Sequence, residues 1–224
     1  MGFTGAPDPG IVREARRRFL AGAGLDAAAA VSVRQVHGAA VLVAEPGDRG
    51  RGGLDPSRSL GDADGIVTKE LSTPLLVLSA DCAVVALADG AGRAVGVFHS
   101  GWRGVLARVP AAAVAAVGGL AGTGSASLRA VFGPAVGPCC YEVGTEVSTP
   151  FLADFGCRSG EWFRPGRGER PHFDLPGAVR ASLVDAGLLP ESVSGPGPCT
   201  LCGGDLFSHR GGDSGRQMLV AARI

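Results

Sequence analysis

The sequence predicts a single α+β domain over residues 1–224, and three observations predict it. The chain of 224 residues is near the top of the single-domain range and long enough to bury a substantial core. Near-continuous apolar runs at 75–88 and 94–99 have the character of strands buried on both faces of a sheet. Around them lie stretches whose apolar period or alanine content is helical.

The elements follow in order. Pro9 to Leu25 is an amphipathic helix with Ile11, Ala15, Phe19 and Leu20 on the apolar face and arginines opposite, closed by Gly22 and Gly24. Val31 to His37 alternates as a half-buried strand does, and Gly38 separates it from a second strand at Ala40 to Ala44, so His37 is expected at a hairpin end. Pro46 to Gly61, rich in Gly, Arg, Asp and Ser, is expected to be a flexible surface loop. Ala63 to Thr68 is a short strand entered from a turn. Leu75 to Cys82 and Cys82 to Ala88 are apolar runs, and Gly90-Ala91-Gly92 turns the chain into Ala94 to His99. Val105 to Leu120 is helical, with Pro110 either limiting its start or kinking it. Leu128 to Gly133 is a strand leading into a rigid Gly/Pro loop, Pro134 to Val143. Thr145 to Phe155 and Pro176 to Ala186 are helices, the second introduced by Asp174, and Gly215 to Ile224 closes as a strand. No repeat or linker interrupts this order.

Composition narrows the function classes. The 21 basic and 21 acidic residues cancel, which removes the electrostatic case for nucleic acid or a membrane surface as partner. The first twenty residues have no signal-peptide core and no run reaches transmembrane length, so a cytoplasmic location is expected. Six cysteines are too few for a disulfide scaffold of this size and are expected as thiols or ligands. Nothing in the sequence specifies an oligomeric state.

The chemistry gathers where predicted strands end. His37, Cys82 and His99 each terminate one, and two imidazoles with one thiolate make a donor set that a catalytic zinc uses with a fourth position open. Taken singly, each has an ordinary structural explanation, a hydrogen-bonded histidine beside a turn or a buried small thiol. The flanks add weight. Asp81 precedes Cys82 and is expected to orient a ligand or move a proton, and Arg103, four residues after His99, is expected to hold an anion. Cys199-Thr200-Leu201-Cys202 has the C-x-x-C spacing of a metal knuckle, but adjacent Cys139-Cys140 are poor partners for it. These four are therefore expected to be buried loop thiols, and His172 and His209 lean structural, with His209 placed to line the pocket.

In this order, several motifs resemble those of the laccase-domain family. They are Gln35-Val36-His37-Gly38, Ala63-Asp64-Gly65, Ala80-Asp81-Cys82, His99-Ser100-Gly101-Trp102-Arg103-Gly104, Gly133-Pro134 through Cys140-Tyr141-Glu142-Val143, and Ser208-His209-Arg210 with Gly215-Arg216. Members of that family have been described as multi-copper polyphenol oxidoreductases and as purine nucleoside phosphorylases. The resemblance implies a compact mixed α/β domain with a β-sandwich-like core of mixed sheets flanked by helices. It also implies zinc on His37, Cys82 and His99, the residues reached above. The implied activity is phosphorolysis of adenosine, inosine and methylthioadenosine, with some adenosine deaminase activity. The small-molecule substrates would be a purine nucleoside and phosphate.

Three departures bear on the pocket. Members usually have a longer first segment, whereas only Met1 to Pro7 precede the first helix, so part of a pocket wall is expected to be missing. The family's asparagine-arginine pair in that helix stands here as Ala15-Arg16, and its serine-tyrosine-arginine-arginine as Ser208-His209-Arg210-Gly211.

The leading mechanism places hydroxide on the purine carbon that bears the amino group, because zinc lowers the pKa of bound water from about 15.7 to about 7. Arg103, with Arg210, would hold phosphate for attack at the ribose anomeric carbon. Copper-dependent phenol oxidation is the weaker metal reading: Met218 would be the axial ligand, and only His172 and His209 remain for further coppers. A metal-free alternative makes Cys82 a nucleophile and His99 its base in a cell-wall-precursor hydrolase of the peptidoglycan-editing type. A fourth reading is a binding protein without catalysis.

Overall fold

The computed structural model describes Gly2, residues 8–166 and residues 168–224. Helix α1 (Pro9–Gly22) starts where Asp8 accepts a hydrogen bond from the Gly10 N–H and Pro9 supplies a preset first turn. Its buried face is Val12, Arg16 and Leu20, not the predicted Ile11, Ala15 and Phe19 face; Ile11 is 64% and Phe19 47% exposed. The reason is Arg16, whose stem crosses the interior while Nη1 donates to the Gly53 carbonyl at 2.5 Å. A buried arginine reads as solvent-facing in any hydrophobicity pattern.

Four strands follow, β1 (Val31–Ser32), β2 (Val41–Val43), β3 (Gly65–Thr68) and β4 (Leu75–Ser79). The predicted hairpin between the first two does not form: β1 runs parallel to β4, and β2 runs parallel to β3. The chain leaves β1 early because the Gln35 amide replaces a strand partner, with Nε2 donating to the Leu78 carbonyl and Oε1 accepting from the Leu78 N–H, both at 2.8 Å. Residues 46–61 do lack strands, but the loop is anchored rather than loose. Gly52 and Gly53 are buried, and a Cβ on Gly53 would lie 2.4 Å from the Ala30 carbonyl oxygen.

Strands β5 (Ala83–Asp89) and β6 (Val95–Ser100) form the centre of the larger sheet. The predicted helix after them is two helices, α2 (Trp102–Leu106) and α3 (Val109–Ala121), divided at Arg108, which adopts φ 69°, with Pro110 in the opening turn of α3. The rest is β7 (Leu128–Phe132), α4 (Thr145–Phe155), β8 (Phe163–Arg164), β9 (His172–Phe173), α5 (Leu175–Asp185), β10 (Val193–Ser194) and β11 (Gln217–Ala221). Asp174 caps α5 by accepting from the Gly177 N–H at 2.9 Å, as its position before the helix predicts. The two-residue strands β8, β9 and β10 are too short to carry a periodicity and are absent from the sequence reading.

The apolar runs do not share one sheet. β4 lies in a three-stranded sheet of order β1-β4-β11, whereas β5 and β6 lie in a six-stranded sheet of order β10-β7-β5-β6-β3-β2. The two sheets face each other through Val31, Leu75 and Val77 on one side and Ile66, Val84, Val95 and Val97 on the other. Alternate residues point outward. Leu76 meets Leu20 of α1, and Val67, Val85, Leu87 and Phe98 meet α3 and α5 through Val117, Ala178 and Val179. Burial on both faces explains the unbroken apolar runs. This four-layer arrangement, helix, sheet, sheet, helices, is the sandwich-like α+β core that the sequence leads one to expect. No helix among the described residues is long and apolar enough to cross a membrane.

Candidate metal centre and adjoining cavities

His37, Cys82 and His99 converge, with ligand atoms all within 4.8 Å of one another. Each arrives by a different route. His99 is in β6 and 4% exposed; Cys82 follows the turn from β4 to β5; His37 is exposed, in a left-handed turn at φ 60°. The imidazoles meet edge to face with centroids 4.9 Å apart. Gly101 leaves the room this needs, since a Cβ there would stand 2.9 Å from the Cys82 sulfur.

The residue that organises the cluster is Asp64, fully buried. Its Oδ1 lies 2.9 Å from His99 Nδ1, and its Oδ2 accepts from the Gly38 N–H at 2.6 Å and the Val36 N–H at 3.2 Å. One carboxylate therefore orients His99 and holds the turn that carries His37. With Nδ1 committed to Asp64, Nε2 is the atom that His99 could offer a metal, and a carboxylate-histidine pairing of this kind is typical of metal sites. Within the Ala63-Asp64-Gly65 motif the sequence assigns Asp64 no role, because a buried carboxylate beside a strand start carries no signal of its own.

The electrostatics favour a charged pair when no cation is bound. Burial pushes the Cys82 thiol up, but hydrogen bonds and charge from His37 and His99 outweigh it and bring the thiol down to about 6. Burial pushes His99 down, and its bonds to Asp64 and Cys82 overcome that and raise it to about 9. Asp64 is held below the usual carboxylate range: burial acts against this, and the bonds to His99 and Gly38 prevail. Two imidazoles, a thiolate and an orienting carboxylate fit a zinc ion in chemistry and spacing.

Asp81, expected to act on ligand or proton, lines the cavity beside the cluster and has both carboxylate oxygens hydrogen-bonded within the chain. Its Oδ1 accepts from Thr200 Oγ1 at 2.6 Å and Ser208 Oγ at 2.8 Å, and its Oδ2 accepts from the Arg210 N–H at 2.8 Å. It adopts φ 93° and is buried, so it ties the 200–210 segment to the turn before Cys82.

Two cavities flank the cluster. The smaller, about 250 Å³, is lined by Arg103, Arg210, Tyr141, Trp102 and the cluster residues His37 and Cys82. Arg103 stacks on Trp102 at 4.2 Å and Arg210 on Tyr141 at 4.6 Å. Neither guanidinium has an ion-pair partner among the described residues. Burial pushes Tyr141 up to about 12, so its hydroxyl stays protonated. The larger cavity, about 640 Å³, is lined by Arg34, Gln35, Ser79 and Arg216 and shares His37, Cys82 and His209 with the smaller.

Met218, the axial ligand of the copper reading, is not at the cluster. It packs beside Leu20 and Leu76 under α1. His172 bonds through Nδ1 to the Pro138 carbonyl at 2.7 Å, in keeping with a structural role, while His209 lines both cavities. The expectation for the remaining cysteines fails: Cys139, Cys140, Cys199 and Cys202 are exposed or half-buried and bring their sulfurs within 4.8 Å of one another. The rigid 134–143 loop turns tightly enough for both adjacent cysteines to take part.

A family model described as multi-copper polyphenol oxidoreductase laccase matches residues 1–223. The chain belongs to this family. It is 36% identical over 211 residues to the purine nucleoside phosphorylase ORF3 of Streptomyces griseus, spanning 94% of this chain and 80% of that one. It is 33% identical over 216 residues to a purine nucleoside phosphorylase of Deinococcus radiodurans, across 95% and 78% of the two chains. Among solved structures, YfiH of Bacillus licheniformis superposes with a TM-score of 0.93 at 27% identity, covering 100% of this chain and 85% of that one. YlmD of Geobacillus stearothermophilus gives 0.92 at 28% identity, with coverages of 100% and 84%. Within a family whose description names several coppers, this chain has only four histidines, two of them in the cluster and one bonded to Pro138.

Proposed function

We propose that this chain is a purine nucleoside phosphorylase with a zinc site formed by His37, Cys82 and His99. The observation that carries the reading is the smaller cavity, where the Arg103 and Arg210 guanidiniums, without carboxylate partners, face that cluster. Such a pair suits a small, multiply charged oxyanion. The names of the relatives supply the reaction class.

In this reading phosphate sits against Arg103 and Arg210, and the nucleoside occupies the larger cavity, which has the volume of a small-molecule site. A phosphate oxygen attacks the ribose anomeric carbon, the glycosidic C–N bond breaks, and the purine leaves with a proton, giving ribose 1-phosphate and the free base. Arg103 and Arg210 hold phosphate in line, and the protonated Tyr141 hydroxyl donates towards the anion. Asp64 positions both histidines, and Asp81 positions the Arg210 segment rather than touching substrate. Zinc, when bound, supplies Lewis acidity and activates water at neutral pH, the chemistry that adenosine deamination requires. Adenosine, inosine and methylthioadenosine are the substrates proposed for phosphorolysis.

The test is direct. Zinc-loaded protein with inosine and phosphate should give hypoxanthine and ribose 1-phosphate, and with adenosine should also give inosine and ammonia. Absence of both ribose 1-phosphate and free base from fully loaded protein overturns the assignment.

A second reading has one observation in its favour: Asp64, His99 and Cys82 are linked in the order orienter, base, nucleophile of a cysteine hydrolase. Covalent labelling separates the two. A nucleophilic Cys82 reacts with an electrophile in the metal-loaded protein, whereas a ligand reacts only after chelation.

A further inference from the structure

We infer that Cys139, Cys140, Cys199 and Cys202 form a second metal centre, a tetrathiolate zinc site that fixes the loops forming one wall of the anion cavity. Their sulfurs lie within 4.8 Å of one another, and Cys139 and Cys202 are 3.5 Å apart. Around a tetrahedral zinc with bonds of about 2.3 Å, sulfurs stand about 3.8 Å apart, so each separation need change by no more than about 1 Å. A cluster of two or four irons holds cysteine sulfurs on different metal atoms and spreads them farther, so the spacing suits one ion. The donor set is also all thiolate, which favours zinc over the harder divalent ions.

The backbone is arranged for such an ion. Four thiolates around a divalent cation carry a net double negative charge, which needs donors. The Gly137 N–H donates to the Cys199 sulfur at 3.3 Å. Gly137 itself lies over the cluster, where a Cβ would stand 3.2 Å from the Cys139 sulfur and 3.4 Å from the Cys199 Cβ. The two loops are already in register: the Thr200 N–H donates to the Ala135 carbonyl at 3.0 Å, and Ala135 and Cys199 form a parallel bridge.

The centre is structural because of what it adjoins. Cys140 precedes Tyr141, which lines the smaller cavity and stacks with Arg210. Thr200, between the two knuckle cysteines, donates to Asp81, which also holds Ser208 and the Arg210 N–H. An ion joining residues 139–140 to residues 199–202 therefore closes a loop of contacts around the Tyr141–Arg210 wall.

Zinc stoichiometry of the whole protein, purified under reductant, tests this. The wild type should hold two zinc ions per chain. Cys82→Ala should hold one, Cys199→Ser/Cys202→Ser should hold one, and the triple variant none. Cobalt loaded into Cys82→Ala should give the intense sulfur-to-metal absorption of a tetrathiolate, absent when Cys199 and Cys202 are replaced. Trypsin cleavage after Arg210 should quicken about tenfold in Cys199→Ser/Cys202→Ser relative to wild type. The inference is overturned if Cys199→Ser/Cys202→Ser holds as much zinc as the wild type, by acid-labile sulfide, by a mass deficit of two hydrogens marking a disulfide in reductant-treated protein, or by unchanged cleavage; a single wild-type zinc that is lost in Cys199→Ser/Cys202→Ser but kept in Cys82→Ala supports this site and counts against the one at His37, Cys82 and His99. Should Cys82→Ala fail to fold, the comparison of wild type with Cys199→Ser/Cys202→Ser decides alone.

Discussion

Asp64 Oδ1 and His99 Nδ1 are 2.9 Å apart in the core, and the other oxygen of the same carboxylate holds the turn bearing His37. Removing this carboxylate therefore disturbs two of the three ligands at once. Asp64→Asn should weaken zinc binding by roughly 10–100-fold, the usual effect of losing a group that orients a ligand. Competition with a chromophoric chelator measures it, and the far-ultraviolet circular dichroism should stay that of the wild type. Unchanged zinc affinity would show that Asp64 does not orient the site.

Asp81 makes a prediction about stability. It accepts three hydrogen bonds from residues far along the chain, and it does so at φ 93°, a conformation unfavourable to any side chain. Asp81→Ala leaves two buried hydroxyl donors and one half-buried N–H without their acceptor and keeps the strain, so it should cost about 2–4 kcal/mol. Asp81→Gly loses the same bonds but relieves the strain and should be less damaging by about 1 kcal/mol. Urea denaturation of both variants checks the order; equal losses would argue that the backbone at this position is relaxed.

Asp89 and Arg93 close the turn between β5 and β6, with Asp89 Oδ2 accepting from Arg93 Nε at 2.8 Å and Oδ1 from Nη2 at 3.0 Å. The hydrogen bonds from Arg93 hold Asp89 down at about 2. A carboxyl with a depressed folded-state value stabilises fully above its unfolded value, near 3.9, and loses that contribution as pH falls through the folded one. The difference in urea midpoint between wild type and Asp89→Asn should be constant from about pH 7 to about pH 5 and shrink towards about pH 3. A gap that widens on acidification would contradict the assignment.

What the sequence discloses is uneven, and the reasons are physical. Strands β4, β5 and β6 are legible because burial on both faces leaves no polar interruption, yet the same property hides which sheet each joins. Val84 and Val85 look alike in sequence and face different layers. The pairing of β1 with β4 is invisible because a glutamine side chain, not the strand, continues the contact. In the candidate site, His37, Cys82 and His99 are legible as metal-binding residue types at the ends of apolar or alternating runs, although only His99 lies in a strand and His37 sits in a turn well beyond β1. Asp64 is not legible, because its importance lies in bonds to backbone N–H groups that no spacing reports. The clustering of the four cysteines is hidden for a similar reason: whether adjacent thiols can share one ion depends on the turn at 137–141, where the Cys140 and Tyr141 N–H groups both donate to the Gly137 carbonyl.

Arg103 and Arg210 give the prediction that bears most closely on function. Both face the smaller cavity, and each is braced by an aromatic ring, Trp102 and Tyr141 respectively. If they bind phosphate and not the nucleoside, their loss should separate the two Michaelis constants. Arg103→Ala should raise KM for phosphate at least about tenfold, in line with the loss of one charged hydrogen-bonding partner of about 1.5–3 kcal/mol, and leave KM for inosine within about twofold. Arg103→Lys should recover only part of the loss, since a lysine keeps the charge but not the planar fork or the stacking on Trp102. Arg210→Ala should behave likewise, with zinc content unchanged in all three variants. A parallel rise in both constants would instead place these arginines on the nucleoside and move the anion to the larger cavity, beside Arg34 and Arg216.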